Sequence, residues 1–163
     1  MTHPVDSGRR RLKGTTSRRS FLKQTSLVLP FCIAPVAILG GPAGNPPSNK
    51  LNLGVIGAGG RGADDIEELK SENIAAICDV DWDRAAPTFA KYPQAPRYRD
   101  FRVMLEKETG LDAVLVATPD HVHAVATMAA LKHKKHVYCE KPLTRTVFEA
   151  RAITRAAKEA GVA

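Results

Sequence analysis

Three short segments carry residues whose types and spacing can do chemistry. The first, Gly57-Ala58-Gly59-Gly60-Arg61-Gly62, follows an apolar run and has the form Gly-x-Gly-x-x-Gly. Asp79 stands twenty-two residues after Gly57, at the end of the next apolar run. A strand before, a helix after and an acid at that distance make the fingerprint of a dinucleotide site. Gly57 makes the tight turn, Gly59 lets backbone approach a pyrophosphate and Gly62 lets the helix pack on the sheet. Gly60 and Arg61 lie between them, at the positive end of that helix. Asp79 accepts hydrogen bonds from ribose hydroxyls and its charge repels a 2′-phosphate, which favours NAD over NADP. Arg61 and Arg84 are the cations able to offset that repulsion.

The second segment is Ala117-Thr118-Pro119-Asp120-His121-Val122-His123 and the third is Glu140-Lys141-Pro142. In a closed crevice, the Lys141 ammonium can hold a hydroxyl and stabilise the alkoxide that forms as a hydride leaves. Burial beside a positive nicotinamide lowers the pKa of such a lysine toward proton transfer. An exposed surface lysine is the bland alternative. His121 and His123 form a His-x-His pair, but no third ligand stands at suitable spacing, so no metal site is expected. His121 reads as a solvent-facing residue at a helix start. Trp82 either covers an adenine or packs at a sheet edge.

These segments need elements that bring them together. Strand patterns at 51–56, 74–78, 97–98, 113–117 and 136–139 alternate with helical patterns at 62–72, 82–91, 100–108, 122–131 and 147–160. Asp81 and Asp100 are the expected caps, and Gly161 the expected stop of the last helix. Pro87 is expected to end or kink its helix. The strands are apolar throughout rather than alternating, as strands buried on both faces are. The expected fold is a doubly wound parallel α/β sheet of the Rossmann type, strand order 3-2-1-4-5. Loops after strands one, four and five then share one crevice, because ligands bind outside the carboxyl ends of such strands. In that order Cys78 and Cys139 are roughly 14 Å apart, too far to bond, and both read as core cysteines. Gly161-Val162-Ala163 reads as the start of a sixth strand.

The net charge of +7 sits at one end. Residues 1–50 hold eight basic residues and one acid, leaving sixteen of each sign in residues 51–163. The globular part therefore offers no broad basic field for nucleic acid. The N-terminus holds Ser17-Arg18-Arg19-Ser20-Phe21-Leu22-Lys23 and then an apolar stretch, residues 27–39, that contains Pro30 and Pro35. A membrane span needs ~20 apolar residues. The stretch therefore reads as a signal-peptide core and not as a stable span. The motif resembles the twin-arginine (Tat) signal. The expected organisation is a signal over 1–43, a linker over 44–50 and a nucleotide-binding domain over 51–163. Export through the Tat machinery, after folding in the cytoplasm, leads to the periplasm or the extracellular space.

Taken in order, the glycine turn, Ala117-Thr118-Pro119 with His123, and Glu140-Lys141-Pro142 resemble the N-terminal domain of the glucose–fructose oxidoreductase/inositol dehydrogenase family (Gfo/Idh/MocA). The resemblance covers about residues 50–163. It implies NAD as cofactor, held by Gly57, Gly59, Gly60, Arg61, Gly62, Asp79, Thr118, Pro119, His123, Glu140 and Lys141. It implies a catalytic role for Lys141, places His123 near the nicotinamide and makes the substrate a sugar or polyol. An NAD-dependent glycosidase of the same architecture and a catalytically silent NAD-binding module are the competing expectations. The family carries a second, substrate-binding domain, so the chain is expected to be a truncated member lacking the sixth strand and that domain. A homo-oligomer is compatible with the sequence.

Overall fold

The computed structural model describes residues 50–163. The signal and linker expected over 1–43 and 44–50 lie outside the described residues, Lys50 excepted. Five strands and five helices alternate. They are β1 (Asn52–Ile56), α1 (Arg61–Glu68), β2 (Asn73–Cys78), α2 (Trp82–Lys91), β3 (Arg97–Tyr98), α3 (Phe101–Lys107), β4 (Ala113–Val116), α4 (Asp120–Lys132), β5 (His136–Cys139) and α5 (Val147–Ala160). The strands form one parallel sheet in the order β3-β2-β1-β4-β5. This is the doubly wound order read from the apolar runs.

Residues of β1, β2 and β4 alternate between two cores. Val55, Ile77 and Leu115 meet α1 and α2 through Ile66, Ala85 and Phe89. Ile56, Cys78, Val114 and Val116 meet α3 and α4 through Met104, Leu105, Ala126 and Ala130. Each such aliphatic side chain contributes about 1.5–3 kcal/mol when fully buried. α5 packs on α4 through Ile153, Ala124 and Leu131. β5 departs from the two-sided expectation. Val137 and Cys139 pack inward, while Tyr138 remains 59% exposed. Among the described residues no helix covers that face.

The caps explain where the helices begin. Asp81 accepts from the Arg84 amide, Asp100 from the Arg102 amide, and Thr146 and Glu149 form a reciprocal capping box. Three boundaries differ from expectation. α1 stops at Glu68 instead of running to 72, where a turn leads into β2. α4 begins at Asp120, so His121 and His123 lie on its first turns. Pro87 neither ends nor breaks α2, which runs on to Lys91. Pro87 and Asp83 are both exposed; the carbonyl deprived of a donor is that of Asp83, which water can satisfy. Beyond Gly161 the backbone lies against β5, where the Val137 amide donates to the Ala163 carbonyl at 2.8 Å. Among the described residues, no helix is long and apolar enough to cross a membrane.

Candidate functional site

The sheet register aligns the last residues of four strands. Cys78, Ile56, Val116 and Cys139 stand opposite one another across the sheet. The ladder runs one residue further, with amides of Gly57, Ala117 and Glu140 donating to the carbonyls of Cys78, Ile56 and Val116 at 2.8–2.9 Å. The three loops picked out by sequence therefore leave the sheet from one row. The loops after β1 and β4 border a cleft of about 480 Å³ lined by Gly57, Gly59, Arg61, Asp79, Thr118 and Pro119, among others, whereas Glu140, Lys141 and Pro142 do not line it. The cleft opens between β1 and β4, where the strand order reverses.

The glycine turn is a cradle that side chains would fill. A Cβ on Gly62 would lie 2.0 Å from the Gly57 carbonyl oxygen. Gly57 has φ +90° and its Cβ would lie 2.6 Å from the Ala117 oxygen. Gly59 is different, since its Cβ would meet only the flexible Arg84 side chain, at 2.8 Å. The protein backbone itself does not require glycine there, but close approach of a pyrophosphate does. The exposed Gly60 precedes α1. Thr118 brings to the cleft a buried hydroxyl without a partner. This donor set fits a dinucleotide.

Asp79 closes the glycine turn from the side. Its Oδ2 accepts from the Ala58 and Gly59 amides at 2.7 and 3.2 Å, and its Oδ1 from the Asp81 amide at 2.9 Å. The carboxylate thus anchors the turn, and Asp79 also lines the cleft. Arg84 and Arg99 line the same end. Arg99 stacks 4.5 Å over the Trp82 ring, and Trp82 meets Phe89 edge-on at 5.8 Å. Trp82 borders an adjoining hollow of about 300 Å³ and does not line this cleft.

The other end is braced by side chains. His123 is 1% exposed. Its ring nitrogens lie 2.6 Å from the Thr118 carbonyl oxygen and 2.8 Å from that of Pro142. It clasps the β4 and β5 loops from beneath, and its two nitrogens are engaged there rather than turned to the cleft. Arg61 reaches from the first turn of α1 to Asp65 at 2.9 Å and Glu140 at 3.5 Å. Lys141 follows Glu140, is exposed, and is joined to Pro142 by a cis peptide bond. The closed crevice expected around Lys141 is not formed by the described residues. His121 is exposed at the cleft wall. Among the described residues no three His, Cys, Asp or Glu side chains gather as a metal ion requires.

Two residues escaped the sequence reading. Thr88 sends its hydroxyl to the Ala58 carbonyl at 2.7 Å, tying α2 to the turn. Asp65, 5% exposed, lies behind Arg61. Burial pushes its carboxyl up from the usual aspartate range, the Glu140 charge adds to this, and Arg61 opposes it. Its signal was present in the sequence. Gly62, Asp65, Ile66 and Leu69 recur at helical spacing, so the carboxylate falls on the inward stripe.

A parallel sheet with a glycine turn after its first strand, an acid after its second and a cleft at the order reversal defines a dinucleotide-binding domain of the Rossmann class. Residues 51–163 match the oxidoreductase family with an NAD-binding Rossmann fold, Gfo/Idh/MocA, and the chain belongs to that family. It is 36% identical to an inositol 2-dehydrogenase of Klebsiella pneumoniae over 68% of this chain and 34% of that one. It is 31% identical to a 2,7-anhydro-N-acetylneuraminate hydratase of Escherichia coli K12 over 69% and 30%. A solved oxidoreductase from Agrobacterium radiobacter, in complex with NAD+, L-tartaric acid and magnesium, superposes with a TM-score of 0.64 at 27% identity, covering 70% and 34%. The chain spans about a third of the length of the curated relatives it matches.

Proposed function

We propose that this chain is the NAD-binding part of an exported oxidoreductase that moves a hydride between NAD and a hydroxyl of a sugar or polyol. The observation behind this reading is a cleft at the strand-order reversal that joins the glycine turn, Asp79 and the Thr118 loop, with Glu140 of the β5 loop reached through Arg61. NAD, when bound, supplies the hydride acceptor. The turn at Gly57 and Gly59, with the α1 N-terminus, receives the pyrophosphate. Asp79 receives the ribose, and Thr118 and Pro119 flank the path toward β5. Glu140 braces Arg61. Lys141 offers its ammonium to the substrate hydroxyl and holds the negative charge that develops on oxygen. His123 positions the two loops. A polyol substrate agrees with the inositol 2-dehydrogenase likeness.

Calorimetric titration tests the binding step. NAD binds the full chain and NADP binds at least about tenfold more weakly, because Asp79 repels its 2′-phosphate. Absence of any heat from a folded sample with NAD refutes the reading. The chain alone is expected to bind NAD without turning over a sugar, since it matches only the nucleotide-binding third of its relatives. Export rests on the Ser17–Lys23 motif. A reporter fused after residue 50 should leave the cytoplasm, and changing Arg18 and Arg19 to Lys should retain it.

A second reading is cleavage of a glycosidic bond, with the hydride removed and then returned. The hydratase relative favours it, because hydration involves no net oxidation. Release of a sugar without net NADH, in a protein carrying this domain, would select that reading.

A further inference from the structure

Three buried side-chain oxygens among the described residues have no partner: Asp65 Oδ2, Thr118 Oγ1 and Thr127 Oγ1. Only the first belongs to an acid. Asp65 sits on the inward stripe of α1, and its Oδ1 meets Arg61 Nη2 at 2.9 Å. The same Nη2 lies 3.5 Å from Glu140 Oε1, and Glu140 is itself 9% exposed. One guanidinium therefore serves two buried carboxylates, one from α1 and one from the β5 loop, and Arg61 lines the cleft.

The charged groups that face Asp65 are Glu140 from the β5 loop and Arg61 and Asp64 from its own helix. Exposed Lys141 follows Glu140, and His121 stands at the cleft wall. Neither removes the deficit around Arg61. A pyrophosphate seated at the α1 N-terminus adds negative charge to a place where one cation already answers for two acids.

We propose that Asp65 is a positioning residue of the dinucleotide site, and that it takes up a proton when a pyrophosphate draws on Arg61 and leaves it facing Glu140. The proposal rests on the NAD-binding reading above. Burial and the neighbouring Glu140 charge raise the affinity of Asp65 for a proton, and Arg61 opposes them. Because the complex then holds more protons than the free protein, NAD affinity rises as pH falls. An Asp65 that merely anchored the helix would give no such slope.

The test is calorimetry of the full chain with NAD between about pH 5.5 and about pH 7.5, in two buffers of different ionisation enthalpy. Wild type should lose about threefold to tenfold in affinity across this range and take up a fraction of a proton on binding. Asp65→Asn and Glu140→Gln should each flatten the slope by at least about twofold and reduce the proton count. His121→Gln, measured in parallel, gives the share that belongs to that side chain. Should circular dichroism show Asp65→Asn unfolded, Glu140→Gln carries the comparison. NAD binding with the same slope and proton count in wild type and these two variants overturns the proposal alone. No NAD binding by the wild type at any pH overturns the NAD reading and this proposal with it.

Discussion

The two ends of the cleft are built differently. At the glycine end, backbone meets backbone: Gly62 lies against the Gly57 carbonyl and Gly57 against Ala117. Even the side chains that hold the turn work on backbone, Asp79 by accepting three amides and Thr88 by donating to the Ala58 carbonyl. At the β5 end, side chains span from loop to loop, with His123 between two carbonyls and Arg61 between two acids. That end is also open, with Lys141 and Pro142 exposed. Backbone contact admits no extra atom and is indifferent to protonation. Side-chain bracing tolerates substitution but responds to charge. The glycine end is therefore fixed, and the β5 end can be adjusted.

The largest effect that separates them is expected at Gly62. An alanine there places a Cβ 2.0 Å from a backbone oxygen that cannot move away. Gly62→Ala should cost about 3 kcal/mol or more in chemical denaturation. Gly59→Ala meets only the Arg84 stem at 2.8 Å. It should fold with a loss of about 1 kcal/mol or less, yet lose NAD affinity on the order of tenfold to a hundredfold. Equal stabilities for the two variants would show that the turn is not held by backbone packing.

His123→Ala attacks the other end. It removes a buried ring and frees two loop carbonyls, and should cost about 2–3 kcal/mol. The loss should be local. Amide hydrogen exchange at Lys141 and Leu143 should quicken well before that at Ala58 and Gly59. Uniform quickening would make the two ends one cooperative unit.

Asp65→Asn should change stability least, and by an amount that depends on pH. Burial and Glu140 raise the folded pKa of Asp65 above its unfolded value. A raised carboxyl binds its proton more tightly in the folded state, so its contribution favours folding at acid pH. That contribution fades as pH rises from the ordinary aspartate value through the folded one. Wild type should gain on Asp65→Asn by up to about 1 kcal/mol as pH falls toward about 4, measured by urea denaturation. A difference that stays flat with pH would mean that Asp65 keeps an ordinary pKa.

The same contrast governs what could be read beforehand. The glycine end was legible because backbone constraints appear as residue identities: Gly57, Gly59 and Gly62, and an acid where β2 ends. The strand order followed from apolar runs and connection rules. The bracing at β5 was not legible, because a long side chain does not announce its partner. Arg61 was read as a cofactor contact, and nothing local in the sequence pairs it with Glu140, seventy-nine residues away. His123 was placed near a nicotinamide through the family resemblance, whereas α4 begins early enough to bury it under two loops. Lys141 was expected in a closed crevice, whereas the described residues leave it exposed.

Two thiols report on the ends directly. Cys78 ends β2 beneath the glycine turn and is 2% exposed; burial, with Asp79 and Asp100 adding, pushes it up to about 12. Cys139 ends β5 and is half-buried; burial raises it too, but the neighbouring Thr127 hydroxyl opposes the rise. Alkylation follows both thiolate fraction and access. At about pH 8, iodoacetamide should therefore label Cys139 at least about tenfold faster than Cys78, resolved site by site by peptide mass spectrometry. NAD should slow Cys78 further, since that residue lines the cleft, and leave Cys139 less affected. Faster labelling at Cys78 would mean that the glycine end opens more readily than the β5 end, and the contrast between fixed and adjustable ends would fail.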